Sequence, residues 1–176
     1  EINSLEDELE KISSAISARR QAAIPIFLDQ LHEKLTGLEM VNTRIQIRLK
    51  PLDYFSPNGK DELEMLISSN KGLSFEEEKK IASGGEMSRI MLAIKNILSN
   101  YSNLPTIIFD EIDTGVSGEV SNKIAAVMKQ MSKNMQVITI THLPQIAAKG
   151  DVHYKVFKRV DKALVESNIK RLNEEE

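Results

Sequence analysis

Thr106-Ile107-Ile108-Phe109-Asp110-Glu111 is the stretch on which the fold of this chain turns. A short run of strand-forming residues is closed abruptly by two acids. Such a run suits a central strand covered on both faces. An acid at the carboxyl end of a parallel strand faces the crevice where open α/β sheets bind their ligands. Downstream, the pattern predicts a helix from about Ser117 to Ser132 and a second buried strand from Gln136 to Thr141, followed by His142. Strand, helix, strand in that order implies a right-handed parallel crossover. Adjacent parallel strands would then bring Glu111 and His142 to one edge. There Asp110 could hold Mg²⁺ through water, and Glu111 could orient or deprotonate an attacking water. Read singly, the acids are also explained by a polar strand end, and the histidine by a structural hydrogen bond.

Upstream of that strand, a helix is predicted from about Gly84 to Asn100, burying Ile90, Leu92, Ala93, Ile97 and Leu98. It opens on Ser83-Gly84-Gly85-Glu86. Two glycines allow close backbone approach, and the free amides of a helix start attract phosphate. The same four residues also read as a capping box, with Ser83 as N-cap and Glu86 at the third helical position. Before this helix the period is two. Thr43, Ile45, Ile47 and Leu49 face one way and Arg44, Gln46, Arg48 and Lys50 the other, in a strand expected to stop at Pro51. A turn over 53–60 and a returning strand from Glu62 to Ser68 complete an antiparallel pair, and 70–80 reads as loop. At the other end, Val152 to Val160 and Ala163 to Leu172 read as a hairpin at the sheet edge.

The first forty residues carry a helical rhythm. Ile2, Leu5, Leu9, Ile12 and Ile16 alternate spacings of three and four, which is a heptad seam. The phase slips at Arg19-Arg20-Gln21 and resumes with Ile24, Leu28, Leu31, Leu35 and Leu38. Pro25 sits at the slip, where it should bend or restart the helix. Residues 1–24 therefore read as the end of a coiled-coil arm and 25–176 as an α/β lobe with a parallel core, flanking helices and antiparallel edge strands. An amphipathic helix packed on its own domain is the alternative.

Composition narrows the function classes. Lys and Arg number 23 against 26 Asp and Glu, a net charge of −3, so bulk electrostatics alone would not bind nucleic acid. With no cysteine, disulfide scaffolds, thiolate zinc sites and cysteine nucleophiles are excluded. No apolar run approaches the roughly 20 residues of a membrane span. The opening Glu1-Ile2-Asn3-Ser4 is neither an initiator methionine nor a signal peptide, so the sequence reads as part of a longer protein.

Taken together, the glycine-rich helix start, the strand ending in Asp-Glu and the strand ending in His follow the order of the second lobe of ATP-binding-cassette ATPases. Ser83-Gly84-Gly85-Glu86 resembles the signature motif, Thr106 to Glu111 the Walker B strand, Asp113-Thr114-Gly115 the D-loop, and His142 the switch histidine. Within that superfamily, residues 82–93, 109–118 and 141–148 resemble the RecN family of bacterial DNA repair proteins, relatives of the structural-maintenance-of-chromosomes (SMC) ATPases.

The resemblance implies a bacterial cytoplasmic, nucleoid-associated protein whose ATPase head is split into two lobes joined by a coiled-coil arm. This chain would supply the C-terminal lobe. It contains no G-x-x-x-x-G-K-[ST] phosphate loop, which the resemblance assigns to an N-terminal lobe of the same polypeptide. ATP and Mg²⁺ would be the bound species. Asp110 would serve the metal, and Glu111 and His142 hydrolysis. Ser83, Gly84, Gly85 and Glu86 would meet ATP held by a second head in an ATP-dependent homodimer, with Asp113 signalling across that interface. DNA would be the wider partner, through Lys155, Lys158, Arg159 and Lys162 or through Arg44, Arg48 and Lys50. A head from a chromosome-condensing relative, or a coiled-coil interaction module without activity, are the alternatives.

Overall fold

The computed structural model describes residues 2–68, 75–77, 84–101, 104–110, 112–113, 115–116, 118–161 and 164–173. They form an α/β chain of two compact units, Glu1–Asn103 and Leu104–Glu176.

The first unit is built on one long helix, α1 (Ile2–Gly37), which runs through Pro25 without a break. The restart expected at the proline does not occur. Pro25 and Gln21 both lie exposed, so water can take the carbonyl that the missing N–H leaves unpaired. The two apolar sets have different fates. Ile2, Leu5, Leu9 and Ile12 are exposed, whereas Leu31, Leu35 and Leu38 are buried. The helix ends where Met40 N donates to Leu35 O (2.9 Å) and Glu39 N to Thr36 O (3.1 Å), with Glu39 at φ 62°. This pattern closes the last carbonyls of a helix.

Strands β1 (Arg44–Ser56) and β2 (Gly59–Ser68) pair antiparallel, with Ile45 opposite Ile67 and Leu49 opposite Leu63. Contrary to expectation β1 continues past Pro51, and the turn shrinks to Pro57 and Asn58. The ladder is regular to Pro51–Asp61 and resumes only at Ser56–Gly59, so the irregularity follows the proline and the strand continues through it. Strand β3 (Glu76–Glu77) then pairs with Leu66 and Ile67 of β2, inside the stretch read as loop.

The tip of the β1–β2 hairpin is fastened to the middle of α1. Asp61 Oδ2 accepts from Ser17 Oγ (2.6 Å) and Arg20 Nη1 (3.3 Å), while Arg20 Nη2 donates to Asn58 O (2.7 Å). Lys60 pairs with Glu10 at 2.9 Å. Gly59, at φ 104°, lets the turn lie against Ile16 and Arg20. The Asp61 side chain is only 9% exposed, so Asp61→Ala should remove a nearly buried, charged acceptor shared by Ser17 and Arg20. A loss of about 1–3 kcal/mol in stability is expected, read as a lower urea midpoint at unchanged slope. An unchanged midpoint would show that the fastening carries no stability.

Helix α2 (Gly84–Leu98) buries Ile90, Leu92, Ala93 and Ile97 as read, and packs on α1. Leu98, read as part of the buried face, is 42% exposed; Asn96, one turn after the buried Leu92 and Ala93, is buried instead.

The second unit holds the parallel pair β4 (Thr106–Asp110) and β5 (Gln136–Ile140), linked by α3 (Gly118–Met131). Phe109 is buried, and Thr139 Oγ1 meets Met128 Sδ of α3 at 3.5 Å. The opposite face is open: Ile108 is 62% and Ile140 52% exposed, with Ile138 beside them. The strand expected to be covered on both faces is thus covered on one. A short helix, α4 (Pro144–Ala147), follows β5. Strands β6 (Tyr154–Asp161) and β7 (Leu164–Arg171) form the expected hairpin, but as a separate two-stranded sheet rather than an edge of β4–β5. Among the described residues no helix is long and apolar enough to cross a membrane.

Candidate functional site

The parallel register carries the site. Thr106 pairs with Gln136, Ile108 with Ile138 and Asp110 with Ile140, so both strands leave the ladder at one level. Side chains alternate along a strand, so Ile108 and Asp110 share the open face with Ile138 and Ile140. Asp110 is exposed, and its side chain has no hydrogen bond or ion pair among the described residues. His142, two residues beyond Ile140, is likewise exposed and without such a partner. Two polar groups of complementary chemistry therefore leave the same strand edge beside an exposed apolar surface. Glu111 and Ser83, central to the sequence reading, lie outside the described residues, as do Thr114 and Lys162.

Asp113 is placed differently. It is 1% exposed, in the turn after β4, and its Oδ2 accepts the hydroxyl of Thr141. Its Oδ1 is buried with no hydrogen-bond partner among the described residues. The turn is closed by Val116 N donating to Asp113 O at 3.3 Å, with Gly115 at φ 72°, a conformation that favours glycine. A carboxylate facing inward in this way can influence a second molecule only through the turn that carries it. The pattern of residues could not reveal the Thr141 contact, because 28 positions separate the partners.

Gly84, Gly85 and Glu86 open α2 as expected. Gly84 is exposed, and a Cβ added there would meet nothing within 4 Å. The helix start therefore leaves room for an approaching group. Gly84 and Glu86 lie in the first unit, Asp110, Asp113 and His142 in the second.

A hard, unpaired carboxylate oxygen suits Mg²⁺, which commonly takes one or two protein carboxylates and completes its shell with water and phosphate. Asp110 fits that role as a single ligand. Among the described residues no group of three or more acids or histidines could form a complete cage. The basic sets differ in availability. Lys50 pairs with Glu64 at 2.7 Å, Arg44 bonds Ser68 Oγ at 3.2 Å and stacks over Phe75, and Arg48 donates to Gln46 Oε1 at 3.3 Å, so each exposed cation of that strand face has a partner within the chain. Lys155, Lys158 and Arg159 are exposed on β6.

No family model matches the chain. It is 39% identical over 169 residues to the DNA repair protein RecN of Rickettsia typhi, covering 96% of this chain and 30% of that protein. With the DNA repair protein RecN of Bacillus subtilis the identity is 34% over 197 residues, covering 99% of this chain and 34% of that protein. The chain thus spans about a third of the length of these relatives. Among solved structures, it superposes on an Smc head domain with a coiled coil and joint from Pyrococcus yayanosii (TM-score 0.71, 20% identity, 98% of this chain and 32% of that one). An Smc head domain with an extended coiled coil from Pyrococcus furiosus gives a TM-score of 0.65 at 18% identity, over 96% of this chain and 40% of that one. A further match, described as ATP-driven dimerization and DNA stimulated activation of SMC ATPases, has a TM-score of 0.50 at 20% identity, over 88% and 90% of the two chains.

Proposed function

The chain is RecN-like in sequence and has the fold of an SMC head, and from this we propose that it is the C-terminal lobe of an ATPase head acting in DNA double-strand-break repair. The observation that carries the proposal is the β4–β5 register, which sends Asp110 and His142 out of one strand edge on an uncovered sheet face. An N-terminal lobe of the same polypeptide would cover that face and bring the phosphate loop. A returning helix would pair with the exposed seam of Ile2, Leu5, Leu9 and Ile12. Residues 1–24 are then the end of the arm.

ATP is the substrate. Bound Mg²⁺ would neutralise charge on its phosphates, with Asp110 as the protein ligand through water. Glu111 accepts the proton of the attacking water, and His142 hydrogen-bonds the γ-phosphate as charge builds on it. Ser83, Gly84 and Gly85, with Glu86 capping the helix, present their donors to ATP on an opposing head. ATP then acts as the glue of a head homodimer, and hydrolysis releases it. The dimer tethers DNA ends, with the exposed cations of β6 as the contacts available to phosphate.

The proposal predicts that the 176-residue chain by itself does not turn over ATP, because it holds the carboxylates and the histidine but no loop for the phosphates. Phosphate release from the purified chain should match a no-enzyme control, and should appear when the chain is joined to a lobe carrying the loop. Turnover by the chain alone at the rate of an intact head, abolished by Glu111→Gln, would contradict the missing lobe.

A further inference from the structure

We propose that Asp113 and Thr141 form a clamp that fixes where His142 stands, so that both are positioning residues for ATP hydrolysis; this rests on the reading of His142 given above. The Thr141 hydroxyl has two partners. It donates to Asp113 Oδ2, and it accepts from the backbone N–H of Leu143 at 3.0 Å. The second bond arches over His142, closing a side-chain turn from the residue before it to the residue after it. The first bond ties that turn to the loop leaving β4.

Its position gives the clamp its importance. The parallel ladder holds the strands together only as far as Asp110 and Ile140. Beyond that level, the Thr141–Asp113 bond is the hydrogen bond that joins the two exits among the described residues. His142 itself is exposed and has no side-chain partner there. A side chain with no hydrogen bond of its own is held chiefly by its backbone, and catalytic geometry tolerates little slack.

The chemistry makes the bond costly to lose. Asp113 is almost wholly buried, and among the described residues its Oδ1 finds no donor. The Thr141 hydroxyl is then the donor that the buried Asp113 side chain has among the described residues, and leaving a buried polar group without its partner costs more than the bond itself contributes. Removing it would leave both carboxylate oxygens unpaired in the interior, which the loop would relieve by moving.

Thr141→Val removes the hydroxyl at nearly constant shape, and Thr141→Ser keeps it. Two readouts separate a positioning role from a merely structural one. In the 176-residue chain, hydrogen exchange at the Leu143 amide should quicken about tenfold or more in Thr141→Val and return to the parent rate in Thr141→Ser. In an intact head carrying both lobes, kcat should fall about tenfold or more with KM for ATP within about twofold, and Thr141→Ser should restore kcat. If Thr141→Val does not fold, Asp113→Asn combined with Thr141→Val replaces the buried carboxyl group along with the hydroxyl and gives the same two readouts. Unchanged exchange would overturn the clamp. Quickened exchange with unchanged kcat would reduce it to a structural tie. Raised KM at unchanged kcat would move Thr141 to nucleotide binding instead. An intact parent head that does not hydrolyse ATP would overturn the underlying reading of His142, and the proposal with it, while the amide would still report whether the bond exists.

Discussion

Glu111→Gln, made in the intact head, is expected to leave ATP bound and to slow its hydrolysis about 10²-fold or more. The amide keeps the size and shape of the carboxylate but loses the basic oxygen, and proton transfer by a placed base is worth about 10²–10⁴ in rate. Asp110, one residue earlier, is untouched, so nucleotide affinity should hold. On the proposal that ATP joins the heads and hydrolysis releases them, the variant should accumulate as an ATP-bound dimer, visible by light scattering. Sequence position alone selects Glu111 for this role: it is the first residue beyond the level at which Asp110 pairs with Ile140. Hydrolysis at the parent rate would remove Glu111 from the role of base and require the Walker B strand to be reassigned.

The second large effect is expected at Ser83. The two readings of this residue, helix cap and phosphate contact, predict opposite outcomes for one substitution. Aspartate caps a helix as well as serine does, so Ser83→Asp should cost little stability. Against a phosphate of ATP on the opposing head, the same aspartate sets negative charge on negative charge and removes a hydroxyl donor. Losing one donor to developing charge costs about 10²–10³ in rate, and repulsion adds to that. The variant should therefore fold, bind ATP in each head, and fail to dimerise or hydrolyse. The space beside Gly84 is consistent with an approaching group, since a Cβ there would meet nothing within 4 Å. Parent-level hydrolysis would leave Ser83-Gly84-Gly85-Glu86 as a helix start and nothing more.

Much of the fold was legible because side-chain period reports local structure directly. The alternation from Thr43 to Lys50 and the run from Thr106 to Phe109 gave strands, and the spacing of Ile90, Ala93 and Ile97 gave the buried face of α2. The misread places share a cause, in that a distant partner decides them. Nothing local announces that Glu76 and Glu77 will pair with β2, or that Ser17 and Arg20 will hold a turn some forty positions away. Pro25 was read for its intrinsic penalty, which exposure to water reduces. The run Thr106 to Phe109 was read as covered twice, yet the surface that would cover Ile108 and Ile140 is not supplied among the described residues.

The site divides along the same line. Asp110 and His142 could be placed from sequence because the edge of a parallel pair is a topological consequence of strand, helix, strand. Asp113 could be located in the turn but not oriented. Its burial and its bond to Thr141 depend on how two strand exits meet, a tertiary fact with no local signature.

The most direct test of a site completed in trans is complementation between two dead heads. One carries Ser83→Asp; the other has the lysine of its phosphate loop replaced. Each homodimer should be inactive, because both of its sites are damaged. In the mixed dimer both lesions fall into one composite site, and the other site is whole. If the signature residues serve the opposing head, ATP hydrolysis returns on mixing. If they serve ATP in their own head, each protomer keeps its own lesion and the mixture stays inactive.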